Sequence, residues 1–340
     1  MIKSMAKQHK QIISIIVLLL FYFFVSRMLI AIAYDRDYLR DPSSIATLQQ
    51  FHASFLKIGN TVEKPIGKRI FMPVFVNLSR HFYIDKVNFV RLHARADKLF
   101  LFFSLIGFNL LLLKLGYDFK SSLIGVLSLI CYMMFAFANI IPIWRFADMP
   151  NLMFFIWGLY FLISDFRILF LLNLLCMTFN KEISILLILI LIIKVMLDKE
   201  AAIKKHKFPE FKTDFIYVVT SILLYIAVQL FLEKVVNKSI EGPCGELGCI
   251  ACLSVYSRMN VTINGFNYLF NLFNFLIIIA FVNFFKNSNF IKASVFVIYL
   301  YILSVYLVGA VFKEGAGLFM PVTPILILSV MEGLKGQGIL

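Results

Sequence analysis

Charge is what this chain has least of. Only 15% of its 340 residues are Asp, Glu, Lys or Arg, while 61% are hydrophobic, well above the roughly one-half apolar share of a soluble globular chain. That deficit excludes a water-soluble globule. Acid is scarcer than base, 19 Asp and Glu against 33 Lys and Arg, which gives a formal net charge of +14. The excess does not indicate nucleic acid, because no basic run interleaved with aromatics lies on a soluble stretch that could follow a phosphate backbone. Anionic lipid headgroups account for it better. No glycine-rich phosphate loop, Gly-x-Ser-x-Gly elbow or His-Glu-x-x-His motif occurs, so cytosolic nucleotide chemistry has no basis here. No Pro/Gly-rich linker and no internal repeat marks a second unit, and residues 1–340 read as a single transmembrane domain.

Cysteine is sparse, with five in the chain. Cys131 and Cys176 fall within apolar runs, and Cys244, Cys249 and Cys252 share one loop. On an oxidising face one disulfide among those three is expected, with one thiol left over. The Cys249-Ile250-Ala251-Cys252 spacing lacks the second pair or nearby His that zinc would need.

What the chain does have is long apolar runs. About ten candidate spans occur, at approximately 12–33, 99–116, 121–141, 150–164, 168–179, 183–197, 214–233, 265–285, 291–311 and 318–333, against the roughly 20 residues a helix needs to cross a bilayer. The expected fold is all-α, a polytopic transmembrane helical protein. The first run carries Arg27 and exceeds a signal-peptide core, so it is expected to remain as an uncleaved span. The short loops decide orientation. With the amino terminus inside, Lys3, Lys7, Lys10, Lys120, Arg167, Lys199, Lys204, Lys205, Lys207, Lys212, Lys286, Lys292 and Lys335 fall inside. Fewer cations, namely Arg145, Lys181, Lys234, Lys238, Arg258 and Lys313, fall outside. Both termini are then cytoplasmic, and the loops 34–98 and 234–264 are external.

The large loop 34–98 begins with Asp35-Arg36-Asp37, two carboxylates where the first span ends. Two amphipathic patterns follow, Ile45, Leu48, Phe51, Phe55 and Ile58, then Phe71, Val74, Phe75, Leu78 and Phe82. Both predict interfacial helices lying apolar face down on the leaflet. Among the cations around them Arg69 is the best candidate to hold a phosphate, since a guanidinium fork grips two oxygens. The remaining charges beside spans are Asp148 before Pro150, the pair Lys181-Glu182 in a hairpin too short for two full crossings, and Lys313-Glu314 before Gly315-Ala316-Gly317. Each has a plain structural reading: a helix cap, a mutual ion pair, a connecting turn. Their assignment to one face is the stronger signal, because independent structural charges have no need to share a side.

These residues resemble those of the integral-membrane glycosyltransferases of the GT-C type. The resemblance rests on Asp35 and Asp37 after the first span, Lys68-Arg69-Ile70-Phe71-Met72-Pro73, Asp148-Met149-Pro150, Asn180-Lys181-Glu182-Ile183-Ser184 and the late Lys313-Glu314 with Pro321. It implies a bacterial inner-membrane enzyme of the cell envelope that takes a sugar from a polyprenyl-phosphate donor on the non-cytoplasmic face. The acceptor expected for a chain without an appended soluble domain is a glycan or a lipid-linked molecule. The implied site has Asp35 as general base, Asp37 as its alternative, and Arg69, Asp148, Lys181, Glu182, Lys313 and Glu314 around the substrates. No cofactor or metal ligand is assigned, although a divalent cation is compatible with such carboxylates. The competing readings are a polysaccharide polymerase or ligase and a lipid or solute transporter.

Overall fold

The computed structural model describes residues 2–40, 70–80, 89–139, 148–204, 211–232, 276–284, 287–308 and 320–340. All regular structure among them is helical: α1 (Ile2–Arg40), α2 (Phe71–Arg80), α3 (Phe89–Lys114), α4 (Phe119–Asn139), α5 (Asp148–Ile163), α6 (Arg167–Asn180), α7 (Ile185–Lys204), α8 (Phe211–Phe231), α9 (Leu276–Val282), α10 (Asn289–Val308) and α11 (Thr323–Gly336). Two 3₁₀ turns, Glu182–Ser184 and Met320–Val322, precede α7 and α11. Runs of Leu, Ile and Phe without interior breakers leave the backbone no better way to satisfy its own N–H and C=O groups in apolar surroundings than helix.

Among the described residues, three helices contain stretches long and apolar enough to cross a bilayer, Ile12–Tyr34, Arg91–Lys114 and Thr213–Phe231. Those on α1 and α8 are only 28% and 17% buried within the protein. Their outward faces carry Ile12, Ile16, Phe23, Phe24, Phe215, Leu223 and Leu230, an apolar surface suited to lipid and not to water. The stretches at Phe119–Met134, Asp148–Ile163, Arg167–Asn180 and Asn289–Ser304 are apolar but shorter.

Several boundaries differ from the hydropathy pattern, and two of them bear on the site. α1 continues to Arg40, past the expected end near residue 33, and α3 begins at Phe89, ten residues before the expected start at 99. Charged residues do not stop a helix whose apolar face is already packed, so helix extends into both ends of the expected 34–98 loop. The first predicted interfacial helix and the loop 234–264, with Cys244, Cys249 and Cys252, lie outside the described residues. The second predicted one is α2, but its buried side is rotated from the expected stripe. Met72 and Val76 are fully buried, with Phe71 and Phe75 packed beside them, whereas Val74 and Leu78 are exposed. The reason is a protein partner: α2 docks against α3 and α6, and its Phe75 ring lies 5.0 Å from that of Phe100.

α3 is the central element. It packs against α1, α4 and α5, and its interface with α5 is the most extensive in the described structure. Gly107 permits that approach, since a Cβ there would sit 2.8 Å from Trp157 Nε1. The indole meanwhile donates to the Phe103 carbonyl at 3.1 Å. α5 continues the bundle to α6, and α6 to α8, while α7 joins α8 to α10. The Met320–Val322 turn lies against α5, and α11 closes onto α4, α9 and α10.

The α3–α4 turn is fixed by Gly116 in the left-handed region, φ 81°, where a Cβ would be strained. Asp118 then caps α4 by accepting the Ser121 N–H at 2.8 Å. The Ser121 side chain, and then this amide, hold the Asp118 carboxyl below its ordinary value by hydrogen bonding to it. The cap is therefore complete above about 3.9, the usual Asp value, and is lost as pH falls through the lowered one. At the same end Lys335 Nζ donates to the Gly116 carbonyl at 3.1 Å and lies 4.9 Å above the Tyr117 ring.

Gly107→Val should destabilise the bundle by about 1–3 kcal/mol through overpacking of α3 against α5. The expected result is a lower thermal midpoint in detergent and an altered Trp157 emission, and an unchanged midpoint would contradict the close approach.

Candidate functional site

The first turn of α5 and the end of α6 are joined by charge. Asp148 opens α5, with Pro150 in the first turn, where a missing N–H costs nothing. α6 ends at Asn180, and Lys181 is extended, with φ −164° and ψ 146°. Its amide still donates to the Met177 carbonyl at 2.8 Å, and the Ser184 amide donates back to the Lys181 carbonyl at 3.4 Å. Thr178 and Ser184 join hydroxyls at 3.0 Å across the same corner. This extended link turns Lys181 into the bundle, where its Nζ meets Asp148 Oδ1 at 2.8 Å. Asp148 is 1% exposed and Lys181 4%. Asp148 therefore serves as an ion-pair partner, and among the described residues its Oδ2 has no hydrogen-bond partner, so the carboxylate does not cap its own helix.

A second ionisable pair stands on α3. His93 Nε2 lies 3.4 Å from Asp97 Oδ2, one helical turn apart, and Tyr34 near the end of α1 donates its hydroxyl to the same oxygen at 3.1 Å. His93 and Asp97 are buried. The charge of Asp148 reaches Asp97, so the two pairs belong to one electrostatic neighbourhood. α1, α3, α5 and the α6–α7 link thus bring Tyr34, His93, Asp97, Asp148 and Lys181 to a common end of the bundle. Above them the Phe71 ring of α2 touches Phe100 on α3 and Phe154 on α5, at 6.0 and 4.9 Å between centroids. In such dry surroundings a charge interacts several-fold more strongly than in water.

The expected site residues divide as follows. Asp148 and Lys181 are in direct contact. Asp35 and Asp37 fall in the last turns of α1, directly after Tyr34, and Glu182 opens the 3₁₀ turn after Lys181; their side chains lie outside the description. Arg69, Lys313 and Glu314 lie outside the described residues altogether. Pro321, which follows the last pair, is buried in the turn against α5. The sequence reading passed over Tyr34, His93, Asp97 and Asn151. The usable signal was His93-Ala94-Arg95-Ala96-Asp97, a basic and an acidic group four apart leading into an apolar run; treating 89–98 as loop removed the helical register that exposes it. Asn151, three residues after Asp148, continues the same face of α5 and is fully buried.

Among the described residues no group of three or more His, Cys, Asp and Glu side chains is placed to hold a metal ion. Two carboxylates, an imidazole, a phenol and an ammonium under an aromatic cover can accept or share a proton and bind a polar group. Protein-family profiles, curated proteins and solved structures were each compared with the chain, and none matches it.

Removing one member of a buried ion pair strands the other charge, at a cost of about 3–5 kcal/mol. Asp148→Asn and Lys181→Met should each lower thermal stability in detergent by that order, and the double variant should recover much of the loss. Additive losses in the double variant would show that the two groups do not act as a pair.

Proposed function

We propose that this chain is a membrane glycosyltransferase that moves a sugar from a polyprenyl-phosphate donor to a glycan or lipid-linked acceptor on the non-cytoplasmic face. In this reading it is a polytopic protein of about ten spans in a bacterial inner membrane, with cytoplasmic termini. The observation that carries the proposal is the buried Asp148–Lys181 pair with Asp97 beside it, at the end of the bundle where α1 delivers Asp35 and Asp37. Charges that were modest signals singly share one end, and buried ionisable groups in an apolar bundle mark function more often than structure.

Glycosyl transfer from a phosphate builds positive charge on the sugar and negative charge on the leaving oxygen. It needs a carboxylate at the acceptor hydroxyl and cations at the phosphate. The last turns of α1 supply the carboxylate. Asp35, the first residue after Tyr34 on α1, is the proposed general base, with Asp37 as its alternative. Arg69 and Lys313 are the proposed phosphate ligands. Lys181 contributes its field from within the pair with Asp148, while Glu182 and Glu314 border the acceptor side.

The test is incubation of the purified chain with polyprenyl-phosphate monosaccharides and a bacterial glycolipid extract. Release of free polyprenyl phosphate is expected, and Asp35→Asn should slow it by about 10²–10⁴-fold with the protein still monodisperse. Donor movement across vesicles without release would favour a transporter instead, and normal turnover by both Asp35→Asn and Asp37→Asn would remove the base from this helix end.

A further inference from the structure

The α3–α5 interface holds polar atoms left unsatisfied among the described residues. There Asp97 Oδ1, Asp148 Oδ2 and both amide atoms of Asn151 have no hydrogen-bond partner, although Asp97 is 6% exposed and Asn151 0%. Buried polar atoms left unmet are rare and costly, and each calls for an explanation. Three such residues at one place call for a common one.

They share a level. The Trp157 indole reaches the Phe103 carbonyl, and the Phe71 ring touches Phe100 and Phe154, so α3 and α5 run parallel with positions about 54 apart facing each other. One turn back from Phe100 and Phe154 stand Asp97 and Asn151, in matching places on the two helices. A further turn back on α5 stands Asp148, whose charge is felt at Asp97.

The unmet atoms define what would satisfy them. Two carboxylate oxygens and an amide oxygen require donors, while the amide nitrogen requires an acceptor. A bare cation would meet the oxygens and leave the nitrogen orphaned. A phosphate would meet the nitrogen and be repelled by both carboxylates. A hydroxyl both donates and accepts, and a ring bearing several hydroxyls can reach residues on two adjoining helices while its C–H edges rest against an aromatic ring.

We infer that Asp97, Asp148 and Asn151 form a subsite for a neutral polyhydroxylated ring, a monosaccharide unit, with the Phe71 ring of α2 as its apolar wall. The inference rests on the glycosyl-transfer reading and deepens it by separating recognition of the sugar from recognition of the carrier phosphate. Asp97 and Asn151 are specificity-determining residues in this scheme, and the proton is taken elsewhere.

Binding is measured on the full chain in detergent, with farnesyl phosphate and with farnesyl phosphate carrying glucose, galactose, mannose or arabinose. At least one sugar-bearing lipid should bind the unaltered protein about tenfold more tightly than the bare lipid, the order expected for hydrogen bonds to buried partners. In Asn151→Ala that ratio should fall to about one, while affinity for bare farnesyl phosphate stays within about twofold. Asn151→Ser and the isosteric Asp97→Asn should lose the discrimination too, and they replace the alanine variant if it does not fold. A ratio unchanged in these variants overturns the subsite. A melting shift produced by Mg²⁺ alone and abolished by Asp97→Asn overturns it in favour of a cation site. Equal binding of bare and sugar-bearing lipids by the unaltered protein also overturns it. Release of polyprenyl phosphate in the turnover assay then shows whether the subsite alone has failed or the transfer reading with it.

Discussion

The contact between Asp148 and Lys181 sets the geometry on which the rest of the candidate site depends. Two ions taken out of water lose far more hydration than a loose contact returns, so a buried pair survives only where the backbone holds both groups in register. Here the backbone does so by ending α6 early, at Asn180, and extending Lys181 before the Glu182–Ser184 turn begins. The extended link and the Pro150-bearing first turn of α5 are two halves of one fitting. Because α5 is also the principal partner of α3, fixing its first turn fixes the level at which Asn151 and Asp148 face Asp97.

A second constraint is steric and belongs to α3. Gly107 lets Trp157 lie close against the helix, and the indole N–H uses a backbone carbonyl that already serves the helix. The result is a parallel pair with one stretch sealed by apolar packing and another, toward the N-terminal ends of both helices, that holds polar side chains. The Phe71–Phe100–Phe154 cluster divides the two. It gives the polar groups a dry neighbour on one side, which strengthens every charge interaction among them.

Much of the fold could be read in the sequence because hydropathy reports directly on long apolar helices, and α4, α8 and α10 stand close to the runs that predicted them. The hydropathy pattern misplaced the ends, for one physical reason. A helix already packed along its apolar length continues through charged residues at little cost, so residues 35–40 and 89–98 are helical although their composition reads as loop. The same effect hid the His93–Asp97 pair, which becomes visible only when residues 89–98 are wound at 3.6 residues per turn. Asp148 and Lys181 were legible as charges beside apolar runs. Their pairing was not, because 33 residues separate them and no local pattern encodes a contact between different helices. The rotated face of α2 has the same origin: its sequence describes an amphipathic helix without saying that its partner is protein.

The brevity of α6 has a consequence for the surroundings as well as for the site. Fourteen residues rise only about 21 Å, against roughly 30 Å of hydrocarbon. Ile168, Leu169 and Leu172 are exposed along the helix, so part of its apolar flank stands open on the surface, where the proposed polytopic reading puts lipid. A short apolar wall in a thicker layer creates hydrophobic mismatch, which the bilayer relieves by thinning beside the protein. Lipid headgroups next to α6 would then ride deeper than those elsewhere in the leaflet. In the proposed reading, a carrier lipid would meet the Asp148–Lys181 corner partly through such a local dimple in the membrane, without its headgroup crossing the full depth of the undisturbed layer.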